Sequence, residues 1–127
     1  MNKLYLTLGS ALAGLGVILG AFGAHKLKEI APDSVSTFQT GVQYQMYHAF
    51  ALILVGILAE KFPVKMMNWA GMAFVIGILL FSGSLYALSL LKATGKVGLG
   101  GIGIITPIGG LFFIAGWVCV IMALLKK

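Results

Sequence analysis

Only two side chains in this sequence titrate near neutral pH, His25 and His48. His48 closes the stretch "YQMYH" (44–48) and stands directly before the apolar run "AFALILVGILA". An imidazole held there could relay a proton, ligate a metal or serve as the base for a nucleophile. The nucleophiles on offer are Ser82 and Ser84 in "FSGSLY" (81–86). Hydrolysis needs nucleophile, base and an orienting group within mutual reach. No carboxylate lies inside an apolar run to orient the imidazole, because Glu29, Asp33 and Glu60 fall in loops or at a run's end. The expectation is therefore a protein that is not an enzyme. A closed zinc site takes four ligands. Two histidines and Cys119, which belongs toward the other side of the membrane, do not supply them.

Residues 98–103, "GLGGIG", match the GxGxxG pattern. That pattern signals a dinucleotide only between a strand and a helix, with an acidic residue about 20 positions on. Here apolar runs flank it and no acid follows Glu60, so no cofactor is expected and a glycine-rich loop is.

The elements that must position these residues are set by composition. Hydrophobic residues make up 60% and charged residues 9% of the 127, with a mean hydropathy of +1.04. A soluble domain carries about 25% charged residues. This chain cannot cover a water-facing surface, so the bilayer is its solvent. The net charge of +6 comes from lysines scattered at the ends of apolar runs, with no arginine. They read as interfacial anchors. A nucleic-acid partner is not expected, since that needs a clustered basic face.

A spanning helix needs about 20 mostly apolar residues. Four candidates occur, over about 4–24, 42–60, 68–91 and 105–125. The first begins like a signal peptide, but its apolar stretch of about 20 residues suits a span better than a signal core. The fold expected is all-α, one integral membrane four-helix bundle over residues 1–127. A short amphipathic segment carrying Val35, Phe38 and Val42, capped by Asp33 or Ser34, should lie between spans one and two. Pro107 should start the fourth helix. The side holding the termini carries Lys3, Lys61, Lys65, Lys126 and Lys127; the long-loop side carries Lys26, Lys28, Lys92 and Lys96. Five lysines against four favours cytoplasmic termini.

Span length then decides the depth of "YQMYH". Ala49–Ala59 alone is about 16 Å of helix, roughly half of the hydrocarbon layer. To cross, the helix must take in the polar residues before it, which brings His48 near mid-depth. Polar side chains at that depth should face the bundle interior. Helical spacing puts Gln43, Tyr44, Tyr47 and His48 on one broad face. Their partners on the long-loop side should be His25, Ser82, Ser84, Tyr86 and Thr106. His48 should bond to span three or four, with Tyr47 or Gln43 nearby.

Span one also carries small residues at Gly9, Ala13, Gly16, Gly20 and Gly23, spaced four, three, four and three. Small residues let helix backbones approach closely in lipid. This stripe reads as a packing seam within the bundle or between protomers. Gly71, Gly77 and Gly83 in span three and Gly109, Gly110 and Gly116 in span four should act alike.

The segments "GAFGAHKL" (20–27), "TGVQYQMYHAFAL" (40–52), "FSGSLYAL" (81–88) and "ITPIGGLFFIAGW" (105–117) together resemble the bacterial membrane proteins of domain of unknown function 423, also called uncharacterised protein family 0382. The chain also looks related to the eukaryotic transmembrane protein 256. The resemblance covers nearly the whole chain and departs from the family in "GKVGLGGIG" (95–103). It implies a four-helix, multi-pass protein of the cell membrane and no catalytic residues. The expected function is non-enzymatic: structural, assembly or lipid-interacting, with membrane lipids and further copies of the chain as partners. The alternative is a pore or transporter subunit using His48 as its titratable group.

Overall fold

The computed structural model describes residues 2–94 and 100–126. The stretch 95–99, which holds the start of "GLGGIG" and Lys96, lies outside the described residues, as does Lys127. Among the described residues there are four helical spans, Lys3–Ile30, Pro32–Lys61, Lys65–Ala93 and Ile102–Leu125, each long and apolar enough to cross a bilayer. The expected all-α bundle is the observed one.

The first span is α1 (Lys3–Phe22), a π-helical turn (Gly23–Leu27) and a short α2 (Lys28–Ile30). Asn2 caps it, its side-chain oxygen accepting from the Tyr5 backbone N–H at 3.2 Å. It ends because Ala31 precedes Pro32 and is driven to an extended conformation, φ −153° and ψ 70°. The second span is α3 (Val35–Lys61), which ends in the same way at Phe62 before Pro63, with φ −126° and ψ 70°. The third is α4 (Lys65–Gly77), a π-helical turn (Ile78–Ser82) and α5 (Gly83–Ala93). The fourth is α6 (Gly100–Leu125).

Three local expectations change. The segment with Val35, Phe38 and Val42 is amphipathic, but it is continuous with span two, whose helix therefore begins well before residue 42. Phe38 and Val42 pack with Leu27, and Val35 against them, while Ser36 and Thr40 face outward or sideways. Polar residues on that outer side lowered the local hydropathy and hid the helix. Ser34 stands at the N-cap of α3, as one of the two expected residues, but its side chain makes no capping bond; the hydroxyl is buried and has no partner among the described residues. Pro107 lies inside α6 rather than at its start. Its ring nitrogen cannot donate to the Gly103 carbonyl one turn back.

Two glycine-lined seams assemble the spans. In the first, α1 lies on α3. A Cβ on Gly9 would stand 2.7 Å from the Ala49 carbonyl oxygen, and one on Gly23 would stand 2.9 Å from Phe38. Gly16 sits under Met46, and Gly20 faces Val42 at 3.4 Å. The small-residue stripe of span one is thus an intramolecular seam. In the second, spans three and four exchange aromatics for glycines: Phe113 fills the space over Gly77, and Phe74 the space over Gly116. Gly109 lies against the backbone of Phe81, in the π-helical turn. Gly71 receives the Tyr5 ring. Among the described residues, nothing stands within 4 Å of a Cβ on Gly83, and Gly110 has only loose contact, so these two do not act as seam residues.

Candidate functional site

His48 is buried and stands at the midpoint of α3. Its ring lies on that of Phe113, the middle of span four, with centroids 3.6 Å apart and planes 8° apart. Phe74 closes one side at 5.4 Å. Both ring nitrogens are engaged. Nδ1 lies 2.8 Å from the Tyr44 carbonyl oxygen, which only accepts, so Nδ1 carries the proton. The Trp117 indole Nε1–H, which only donates, reaches Nε2 at 3.1 Å. These partners assign a neutral imidazole protonated at Nδ1. The expected bond from His48 to span three or four is present, and it goes to span four.

A second polar junction ties span two to spans one and three. Gln45 is buried. Its Nε2 donates to the Leu12 carbonyl oxygen at 2.8 Å, and its Oε1 accepts from the Tyr86 hydroxyl at 2.6 Å. Nearby, the Ser82 hydroxyl donates to the Gly41 carbonyl oxygen at 2.7 Å. Gly41 allows this approach, since a Cβ there would meet the Tyr86 ring at 2.8 Å. Ser84 donates to its own helix at Phe81 or pairs with Thr106 of span four. Gln39 Nε2 donates to the Gly20 carbonyl oxygen at 3.1 Å.

So His48, Ser82, Ser84, Tyr86 and Thr106 are brought to helix–helix contacts, but not to one another as a single cluster. Neither serine has His48 as a partner. His25 departs from expectation: it is exposed, and its Nδ1 donates to the Ala21 carbonyl of its own helix at 2.9 Å. Gln43 and Tyr47 depart too, for both are exposed. Tyr44 stands at the edge, its ring 4.7 Å from Phe81 and 5.7 Å from Tyr47.

The inward face of α3 is rotated from the expected one. It runs through Gly41, Gln45, His48, Leu52 and Val55. Gln45 and Trp117 were the residues missed. For Gln45 a signal was present: it lies one helical turn from both Gly41 and Ala49, small residues on the packing face. At the opposite end of the bundle, the Tyr5 hydroxyl lies 2.9 Å from both the backbone and the side-chain oxygen of Asn68, joining spans one and three.

The family profile described as "Protein of unknown function (DUF423)" matches residues 19–110. The chain is 43% identical over 126 residues to the UPF0382 membrane protein YwdK of Bacillus subtilis, covering 98% of each. It is 40% identical over 125 residues to the UPF0382 membrane protein SH2409 of Staphylococcus haemolyticus, covering 98% of this chain and 97% of that one. With the SAB0533 protein of Staphylococcus aureus, also a UPF0382 membrane protein, it shares 42% over 125 residues, at 98% and 97% coverage. No solved structure gives a significant match. With its four spans and its full-length similarity to these membrane proteins, the chain belongs to the DUF423 (UPF0382) family.

Proposed function

We propose that this protein is a non-enzymatic component of the cell membrane, in which the internal polar groups lock helix register and the outward surface acts on lipids or in assembly. The observation that carries this reading is the commitment of His48, with Nδ1 bonded to its own helix and Nε2 to Trp117. A group that relays protons must exchange them with water and present a free lone pair. Protonating Nε2 here sets one N–H against another. Gln45 is engaged at both ends in the same way. Paired polar groups of this kind specify one helix arrangement, because a slipped register leaves them unpaired in hydrocarbon. The lysine balance supports cytoplasmic termini.

The test is purified protein in liposomes under a pH gradient. No flux is expected, and His48→Ala should lower the unfolding temperature. A pH-dependent flux that His48→Ala abolishes would establish the pore or transporter reading instead. A hydrolytic activity lost in Ser82→Ala or Ser84→Ala, with folding intact, would establish an enzyme.

A further inference from the structure

The outward face of span two is polar where a lipid-facing helix should be most apolar. His48 and Phe113, each at the middle of its span, stack on one another and mark mid-depth. Tyr47 is the neighbour of His48, yet it is 55% exposed. Gln43, one turn earlier, is also exposed. Among the described residues, neither the Gln43 amide nor the Tyr47 hydroxyl has a hydrogen-bond partner. Mid-depth is about 15 Å from either polar boundary, further than a tyrosine side chain reaches by snorkelling. Acyl chains offer neither donor nor acceptor, so leaving these groups against lipid is costly.

The same face carries a regular stripe. Gln43, Tyr47, Phe50, Leu54 and Ile57 are spaced four, three, four and three, and all are exposed. They lie opposite the inward residues Gly41, Gln45, His48 and Leu52. A 3.5-residue period is the pattern of a left-handed helix pair. The occupant is argued from symmetry and chemistry. Two copies inserted the same way present parallel second spans, and a two-fold axis along the membrane normal sets each stripe residue against its own counterpart. An amide carries donors and an acceptor, and a phenol both donates and accepts. Gln43 and Tyr47 can therefore each satisfy an identical residue, which an arbitrary partner need not do. A single polar residue in such a stripe also fixes register and stoichiometry.

We propose that a second copy of this chain docks along the Gln43–Ile57 stripe of span two, forming a parallel two-fold dimer joined by Tyr47 near mid-depth and by Gln43 one helical turn nearer the long-loop side. This inference deepens the assembly reading above and rests on it.

The test uses the full chain in liposomes at low protein density, with Cys119→Ser removing the native thiol. Single cysteines are placed on the stripe by Phe50→Cys and Leu54→Cys. Controls on the lipid-facing sides of the other spans are Val17→Cys, Leu79→Cys and Leu111→Cys, at 64%, 66% and 65% exposure. Oxidation with copper phenanthroline should cross-link the stripe positions several-fold more than the controls. Adding Gln43→Leu and Tyr47→Phe to Phe50→Cys should weaken the dimer about tenfold. Cross-linking equal to the controls, a chain that is monomeric by single-molecule photobleaching, or a double variant that dimerises unchanged would each overturn the proposal. A monomer without flux, destabilised by His48→Ala, overturns only the dimer. A flux abolished by His48→Ala in an intact dimer overturns only the locking role of the internal network.

Discussion

The indole N–H of Trp117 meets Nε2 of His48 at 3.1 Å, joining the fourth span to the second across 69 residues of sequence. The bond sits inside an aromatic stack of Phe74, Phe113 and Trp117, where the Phe74 and Trp117 centroids are 4.8 Å apart. With the Tyr44 carbonyl engaging Nδ1, it holds the imidazole in one tautomer and one orientation.

Trp117→Phe keeps most of the packing but removes the donor. It should destabilise the fold by about 1–2 kcal/mol, read from reversible unfolding in mixed micelles. Combined with His48→Leu, the loss should be smaller than the sum of the single losses by about 0.5–1.5 kcal/mol. Strict additivity would mean that the bond does not form.

Gln45 and Gln43 provide the sharpest contrast in the second span. Gln45→Leu strands the Tyr86 hydroxyl in the interior and should cost about 1–3 kcal/mol. Gln43→Leu faces outward and should change monomer stability by less than about 0.5 kcal/mol. Equal effects would contradict the observed rotation of α3.

The glycines divide by what stands over them. Gly109→Ala drives a methyl group into the Phe81 backbone, which cannot move aside, and should be among the most damaging of the small substitutions. Gly16→Ala crowds the Met46 side chain, which can shift, and only touches Gln45 Nε2 at an ordinary 3.6 Å, so it should be mild, whereas Gly16→Leu should separate α1 from α3. Gly83→Ala and Gly14→Ala meet nothing within 4 Å among the described residues. They should be neutral or stabilising by up to about 1 kcal/mol, through helix propensity. Expression and thermal unfolding in detergent would rank the set.

Tyr5→Phe removes the hydroxyl that holds Asn68 and should cost about 1 kcal/mol. The loss should appear as easier opening of the first span at its N-terminal end, visible as faster hydrogen exchange around Leu6 and Leu8.

Much of the architecture is legible in the sequence. Sixty per cent hydrophobic residues leave no way to cover a soluble surface. Four apolar runs and the length a bilayer demands set the number of spans, their order and the inclusion of His48 in the second helix. The spacing of Gly9, Gly16, Gly20 and Gly23 marked a seam, because helices without a hydrophobic drive to associate must pack through small residues. These features are local, or are imposed by the membrane, so a single chain carries them in its own pattern.

What tertiary structure alone decided was which neighbour each face meets. The four-three spacing of span one could have served another protomer; only the docking of α3 made it internal. The polar residues before the second apolar run cover most of the helix circumference, so their types could not choose between Gln43 and Gln45. Gly41 and Ala49 hinted at the inward side, but only the docking of Tyr86 over Gly41 and of α1 over Ala49 settled it. Trp117 stood in an apolar run with nothing near it in sequence to name its partner until span four was placed against span two. Hydrogen-bond partners far apart in sequence depend on the rotation of each helix about its axis, and that rotation is set jointly by all the spans that pack against it.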